Sequence, residues 1–531
     1  MAQQVSYGNS SSLLTTASSF LLNQYSSDRK RFLLTAASAL AGTWSLWRLI
    51  IHYLKRSQTH PTSAPSTVPT VAGALPIVGH SFKINADPLG FIQRCKAQYG
   101  PVFKVKLLTQ DVYVLTGKLI PELLTASRKT VSFTEGIESI VPIERVMRLS
   151  YEHKRTDEEL SPRDKHPVVF PIKQNFKPDQ IEVFSDRIEK AFLGFLEEEL
   201  SLKPGEKRQV DTWNILSHAI SRISCLCFTG SRVGTNRELV AAMATLTQSV
   251  VKAGVLLTVL PGWIANVIVR RYMSIERQLD LLIELLVPLI KGLRSGDIPD
   301  DETTFISMVS KLPKSDGSLR SPEHAALWFR AVALASIHTT AHFSTFALHE
   351  LACRPQLVQD LRQEINELHT RTPETVSHIQ PLDSFLREVL RYDIDNLGLH
   401  HMTLQDFVLP TGHVIPKRSL IVAAMDEAHN DPALAPPSNK PLSVFDAYRF
   451  MNTTDGRQSS TIGMDLISFG LGAHACPGRY FAVNEIKYVL AELIVRYNIT
   501  TSSGHKRAPN NMAMGMVKFP PKTPIILEGI L

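Results

Sequence analysis

Apolar residues recur at three- and four-residue spacings along residues 179–199, 274–293, 322–353, 355–368 and 383–392, with few internal breakers. This spacing predicts long helices. Shorter stretches of β-branched or alternating character lie at 103–106, 112–116, 403–408 and 419–422, and residues 517–520 and 525–527 are expected to pair as a terminal ribbon. No fixed repeat is present. The pattern predicts a mainly α fold with a minor β-sheet region.

The amino end follows a different rule. Residues 32–47 carry no formal charge. If Arg48 and His52 snorkel to the interface, the apolar run extends over 32–54 and reaches the roughly 20 residues that a bilayer needs. Trp44, Trp47 and Tyr53 would then stand near one headgroup boundary. Basic residues flank the run on both sides, Arg29-Lys30-Arg31 and Lys55-Arg56, so the charge rule leaves orientation open. Pro61, Pro65, Pro69 and Pro76 follow among Ser, Thr and Gly, a composition that cannot hold a helix. The chain is therefore expected to divide into a lumenal tail (1–31), a transmembrane anchor (32–54), a linker (55–67) and one catalytic body (68–531).

Composition narrows the function classes. The chain has 531 residues, 44% apolar and 20% charged, enough for a sizeable core. Its formal net charge of +7 suits anionic lipid or an acidic protein partner and does not suggest nucleic acid. Five cysteines, Cys95, Cys225, Cys227, Cys353 and Cys476, cannot form a complete disulfide framework, which points to a reducing compartment. Cys225-x-Cys227 lacks the second ligand pair that structural zinc needs.

Two segments carry candidate chemistry. The run 325–353 is almost wholly apolar yet holds Ser336, His338, Thr339, Thr340 and His342 at its centre. Such groups must be paired or solvated; bonding back to the preceding turn and lining a ligand cavity both satisfy them. Residues 469–482 read Phe-Gly-Leu-Gly-Ala-His-Ala-Cys-Pro-Gly-Arg-Tyr-Phe-Ala and open a helical run to about Tyr497. Gly470, Gly472 and Gly478 permit a bend that brings backbone N–H groups close to Cys476, and such donors favour the thiolate, a ligand for haem iron. Glu388 and Arg391 share one helix face at i,i+3.

The 469–482 loop resembles the haem-binding signature of the cytochrome P450 family, the haem-thiolate monooxygenases, and more narrowly of its membrane-bound fungal members in specialised metabolism. The resemblance runs from residue 68 to the carboxyl end. It implies Cys476 as the axial iron ligand, Phe469 packed near the thiolate, His474 beside a haem propionate, and Gly470 and Gly478 shaping the cofactor loop. Glu388-x-x-Arg391 and Arg449 within 445–450 resemble the family's structural network. Residues 335–340 resemble its oxygen-binding helix, which implies Thr339 in proton delivery, with His338 where an acid is usual and Ser336 where glycine is common. The family's Trp-x-x-x-Arg propionate contact is not evident. Lys154, Arg155, His166, Lys173, His400 and His401 are the cationic candidates for that role. By the same resemblance the substrate cavity draws on residues 134–146, 239–263, 331–339, 396–399 and 514–516.

The implied reaction inserts one oxygen atom from O2 into an apolar terpenoid, steroid, indole or polyketide intermediate. Electrons would come from NADPH through a separate cytochrome P450 reductase, with cytochrome b5 as a further donor, at the endoplasmic reticulum membrane with the body in the cytoplasm. Arg479 and Lys487 are expected to contribute to a basic docking face. A haem-thiolate isomerase or peroxide-dependent enzyme, or a membrane-bound protein that only binds haem or hydrophobic ligands, would retain Cys476 and stays open.

Overall fold

The computed structural model describes residues 66–531 other than 77, 109, 152–164, 435–437, 452–455, 514 and 531. The expected tail, anchor and nearly all of the linker lie outside the described residues, as do Lys154, Arg155 and Met514.

The helices that position the site are, in chain order, α1 (Pro88–Tyr99), α2 (Ser185–Glu199), α3 (Thr212–Thr229), α4 (Arg237–Val259), α5 (Gly262–Tyr272), α6 (Ile275–Ser295), α7 (Pro322–Ala352), α8 (Pro355–Asn366), α9 (Gln380–Tyr392) and α10 (Arg479–Arg496). α7 is apolar nearly all round, which suits a helix enclosed by others. Ser321 caps it by accepting from the His324 N–H, Pro322 fits its first turn, and Pro355 opens the next helix after Cys353. One large core joins α7 to α2, α3, α4, α6, α8, α9 and α10. A second lies beneath the sheet.

The strands are β1 (Val102–Leu107), β2 (Gln110–Leu115), β3 (Val131–Ser132), β4 (Leu397–Thr403), β5 (Leu420–Ala424), β6 (Asn511–Ala513) and β7 (Val517–Phe519). The main sheet has the order β1-β2-β5-β4-β3. β1 and β2 are antiparallel with Val105 opposite Val112, while β2 and β5 are parallel. β4 and β5 are antiparallel, with one extra residue in β4 between Gly398 and His401.

Three expectations change. Residues 517–519 pair with 511–513, whereas Ile525–Gly529 pairs with Tyr497–Thr501 and Lys207–Val210, so no ribbon joins 517–520 to 525–527. Pro520, Pro521 and Pro524 lie between the two and cannot sustain a ladder. The run 179–199 begins as a 3₁₀ turn, Pro178–Phe184, and becomes α-helical only at Ser185. Phe184 stacks on Phe176 with centroids 4.6 Å apart, and both meet the edge of Phe481. The 403–408 stretch is the end of β4, a bend, and a separate short strand at Phe407–Val408.

Among the described residues, Arg237–Thr258 is long and apolar enough to cross a membrane. It packs against α3, α6 and α7 as part of the body. The described residues thus form a mainly α domain with a minor β region.

Candidate active site

The cysteine loop is held by its own backbone. The Cys476 N–H donates to Phe469 O at 2.7 Å and the Gly470 N–H to Ile467 O at 2.8 Å. Gly470 and Gly472 take φ of +68° and +57°, and a Cβ on Gly472 would stand 3.1 Å from Thr125 Cγ2. These positions need glycine. Gly478 sits at φ −91°, where any residue is comfortable, and its Cβ would meet nothing within 4 Å. The bend therefore comes from Gly470 and Gly472, and Gly478 serves as an open N-cap of α10. Burial pushes the Cys476 thiol up, while backbone bonds from Gly478 and Arg479 and the Arg479 charge pull it back down.

Two ties join this loop to residues 126–128: the His474 ring N–H donates to Ala126 O at 2.9 Å, and Arg128 donates to Ala473 O at 2.9 Å. The extra residue in β4 places Leu399 at φ +50° and turns the His401 ring edge-on to His474, 4.9 Å between centroids. Burial pushes the His400 and His401 rings down to about 4, and Nε2 of each is buried without a hydrogen-bond partner. His166, also pushed down by burial, lies in the fields of Arg128 and Arg320. Lys173 is exposed.

The structure brings Glu388, Arg391 and Arg449 together in a fully buried cluster. Arg391 grips Glu388 with two bonds of 2.7 and 2.8 Å, Arg449 Nε lies 3.2 Å from the same carboxylate, and the Asp446 N–H donates to it at 2.9 Å. The remaining guanidinium N–H groups go to carbonyls: Arg391 to His429 and Leu442, Arg449 to Lys440, Pro441 and Val444. α9 presents a second buried cation, Arg387, which donates to Asp465 at 2.6 Å and to Thr461 O at 2.9 Å. Asp383, on the same helix, accepts from the Ser459 N–H at 2.9 Å. The chain approaching the cysteine loop is thus fastened to α9 at several points.

In the middle of α7, Ala335 and Thr339 are exposed while Val332, Ala333, Ile337, Thr340 and Ala341 are buried. Those two positions, four apart, share a helix face. The Thr339 hydroxyl donates to Ala335 O at 2.6 Å, the back-bonded arrangement. Ser336 Oγ is buried without a partner. The His338 ring lies edge-on to Trp213 of α3 at 4.9 Å, and burial holds it neutral at neutral pH. His342 packs among Trp213, Phe346 and Phe519.

Lys487 does not serve a docking face. It is buried, ion-paired to Asp383 and donating to Ser377 O at 3.0 Å, because its side of α10 packs against Pro373–Ser377. Arg479 turns inward to Cys476 O, Ser460 O and the Tyr480 hydroxyl.

Several site residues have no local signal in the sequence: Arg128, Trp213, Arg387, Asp465 and His429. His429 Nε2 accepts from the Ile467 N–H at 2.9 Å, so Nδ1 carries the hydrogen that goes to Arg391 O at 3.1 Å. Burial holds this ring at about 3, against about 6.5 in an unfolded chain. The neutral ring's contribution is complete above pH 6.5 and is lost as pH falls toward the folded value. Asp395 and Glu350, pushed up to about 6 and about 7, act in the opposite sense, so the informative measurement is a comparison. Between pH 6.5 and 5.0, wild-type denaturant stability should fall by about 2 kcal/mol more than that of His429→Gln. Equal slopes would remove the ring from this role.

The cytochrome P450 family profile matches residues 69–527. Cytochrome P450 monooxygenase 151 of Postia placenta is 24% identical over 464 residues, covering 83% of this chain and 90% of that protein. Cytochrome P450 monooxygenase paxP of Penicillium paxilli is 27% identical over 340 residues, covering 60% of this chain and 64% of its own. Retinoic acid-bound cyanobacterial CYP120A1 superposes with a TM-score of 0.62 at 21% identity, over 88% of this chain and 100% of that one. That last likeness is one of fold.

Proposed function

The chain belongs to the cytochrome P450 family, and from that premise we propose that Cys476 is the axial thiolate ligand of its haem and that the substrate is an apolar intermediate of specialised metabolism. The activity is that of a haem-thiolate monooxygenase, an oxidoreductase that incorporates molecular oxygen with NADPH-derived electrons. The observation that carries the cysteine assignment is a half-buried cysteine whose thiol faces the N–H groups of Gly478 and Arg479 in a loop braced by two left-handed glycines.

The residues suit the cofactor. A thiolate acceptor of two backbone donors and an exposed Ala335/Thr339 face suit a flat apolar macrocycle, against which the Phe469 ring is proposed to pack near the thiolate. His400 Nε2, buried without a partner and able to carry the hydrogen of a neutral ring, and Arg128, tied to the same loop, suit its carboxylates, whereas His401 and His474 give their ring hydrogens to Leu399 O and Ala126 O. Bound haem supplies the metal at which dioxygen is activated. Cys476 would hold the group by its thiolate, and the Gly478 and Arg479 N–H donors would restrain how much negative charge it gives. Thr339 keeps acceptor lone pairs on the exposed face while donating to Ala335 O, and so can hold a proton there. His338, whose ring faces Trp213 and not the Thr339 face, is proposed to relay protons from that side of the helix, since a neutral imidazole accepts at one nitrogen and releases at the other.

Electrons are proposed to arrive from a separate reductase, with cytochrome b5 as an additional donor. The uncharged run 32–47 supports anchoring in the endoplasmic reticulum membrane by residues 32–54. Terpenoid, steroid, indole and polyketide skeletons share the apolar character that the proposed cavity segments call for.

The carbon monoxide complex of the reduced intact protein should show a thiolate-type Soret band; an imidazole-type band would overturn the Cys476 assignment. Incubating reductase-supplied membranes with a panel of those skeletons identifies the substrate, and product formed without NADPH, reductase or O2 would overturn the oxygen chemistry. Thr339→Ala should lower product formed per NADPH consumed by about tenfold, while Thr339→Ser retains most of it. Unaltered coupling in the alanine variant would exclude the Thr339 hydroxyl.

A further inference from the structure

The hairpin of β6 and β7 stands beside α7, with Phe519 edge-on to His342 at 5.9 Å, one turn beyond Thr339. Polar groups suspend it between the end of α7 and residues 392–397. Asn396 donates from its side chain to Gly515 O at 2.7 Å and from its backbone to Met516 O at 2.9 Å. The Lys518 N–H donates to Asp395 at 2.8 Å, and Lys518 Nζ donates to Tyr392 O at 3.0 Å. On the segment entering β6, Arg507 spans two elements, bonding Glu350 of α7 through Nε and Asp393, just after α9, through Nη2 at 3.0 Å. Asn510 donates to the same Asp393 oxygen at 2.9 Å, and the His505 ring bonds Ala352 O at 3.0 Å. Both carboxylates are fully buried.

We propose that Arg507 is a positioning residue whose guanidinium clamps the β6–β7 hairpin to α7 and to Asp393, and thereby sets the size of organic ligand that the cavity admits. The proposal rests on the reading above that puts this part of the chain at the cavity, here through the described residues Gly515 and Met516. Without Arg507, Asp393 keeps Asn510, Glu350 keeps Arg354, and the two carboxylates face one another across a dry interior. No cation then ties the hairpin's base to α7, and Gly515 and Met516 can shift by the fraction of an ångström that matters to a bulky ligand and not to a small one.

The test uses the full-length haem-loaded protein and two azoles that bind ferric haem, imidazole as the small probe and clotrimazole as the large one, followed by spectral titration. Arg507→Met should change the ratio of the two dissociation constants by about tenfold, through clotrimazole alone, with Arg507→Lys in between. Should Arg507→Met fail to hold haem, Asp393→Asn and Asn510→Ala weaken the same clamp with the Arg507–Glu350 pair left in place, and both should move the ratio in the same direction. A ratio unchanged within about twofold, in variants with a wild-type carbon monoxide spectrum, overturns the positioning role. Wild-type protein that gives no spectral shift with either azole overturns the haem reading itself, a separate and recognisable failure.

Discussion

Cys476→Ser is expected to abolish the thiolate-type carbon monoxide spectrum and to lower turnover by about a thousandfold or more. The loop around it should survive, because the 2.7 Å bond from the residue-476 N–H to Phe469 O and the left-handed glycines do not involve the side chain. What is lost is the soft anion. A serine hydroxyl ionises far above any working pH, so the Gly478 and Arg479 N–H groups would face a neutral oxygen instead of a charge. The controls are buried thiols elsewhere in the chain. Burial pushes Cys95 up to about 11 and Cys225 up to about 12, and neither borders the loop, so serine at those positions should leave the spectrum intact. A Cys476→Ser protein that kept the thiolate signature would overturn the ligand assignment.

The contrast between these cysteines was legible because it is local. Phe469, the glycines, His474, Cys476 and Pro477 lie within a few residues of one another, and α7 and α9 announce themselves by helical spacing. Bends were less legible than positions: Gly470 and Gly472 take left-handed φ, but Gly478 does not. Partners across the chain were not legible at all. Residues 517–519 find 511–513 instead of 525–527, a choice made by three intervening prolines and by the distant strand Lys207–Val210. Lys487 reads as a surface cation until α9 and Pro373–Ser377 pack over it. His429 sits in a polar run, Met425–His429, that looks like a solvated loop, and its ring is buried only because α9 and Ile467 close on it from either side. His338 and Thr339 are adjacent in sequence, yet a helix turns them about 100° apart, one toward Trp213 and one to the exposed face.

The same non-local logic governs Glu388, whose neutralisation is expected to cost about 3–5 kcal/mol of stability. A surface Glu–Arg pair at i,i+3 would be worth a few tenths of a kcal/mol. Here the carboxylate is wholly buried and faces two guanidinium groups and one backbone N–H. Glu388→Gln keeps the shape but turns an amide NH2 toward Arg391 or Arg449 and leaves two buried cations with carbonyl partners only. Those carbonyls belong to His429 and to residues 440–444, so the damage spreads along the segment that leads to Asp465, Ile467 and the cysteine loop. Haem occupancy should therefore fall together with the denaturant midpoint. Arg449→Lys should fall between wild type and Glu388→Gln, because an ammonium keeps the charge but cannot reach three carbonyls and a carboxylate in one plane. If Glu388→Gln unfolded within about 0.5 kcal/mol of wild type, the cluster would be electrostatically idle, and the fastening of the loop would rest on Arg387–Asp465 and Asp383–Ser459 alone.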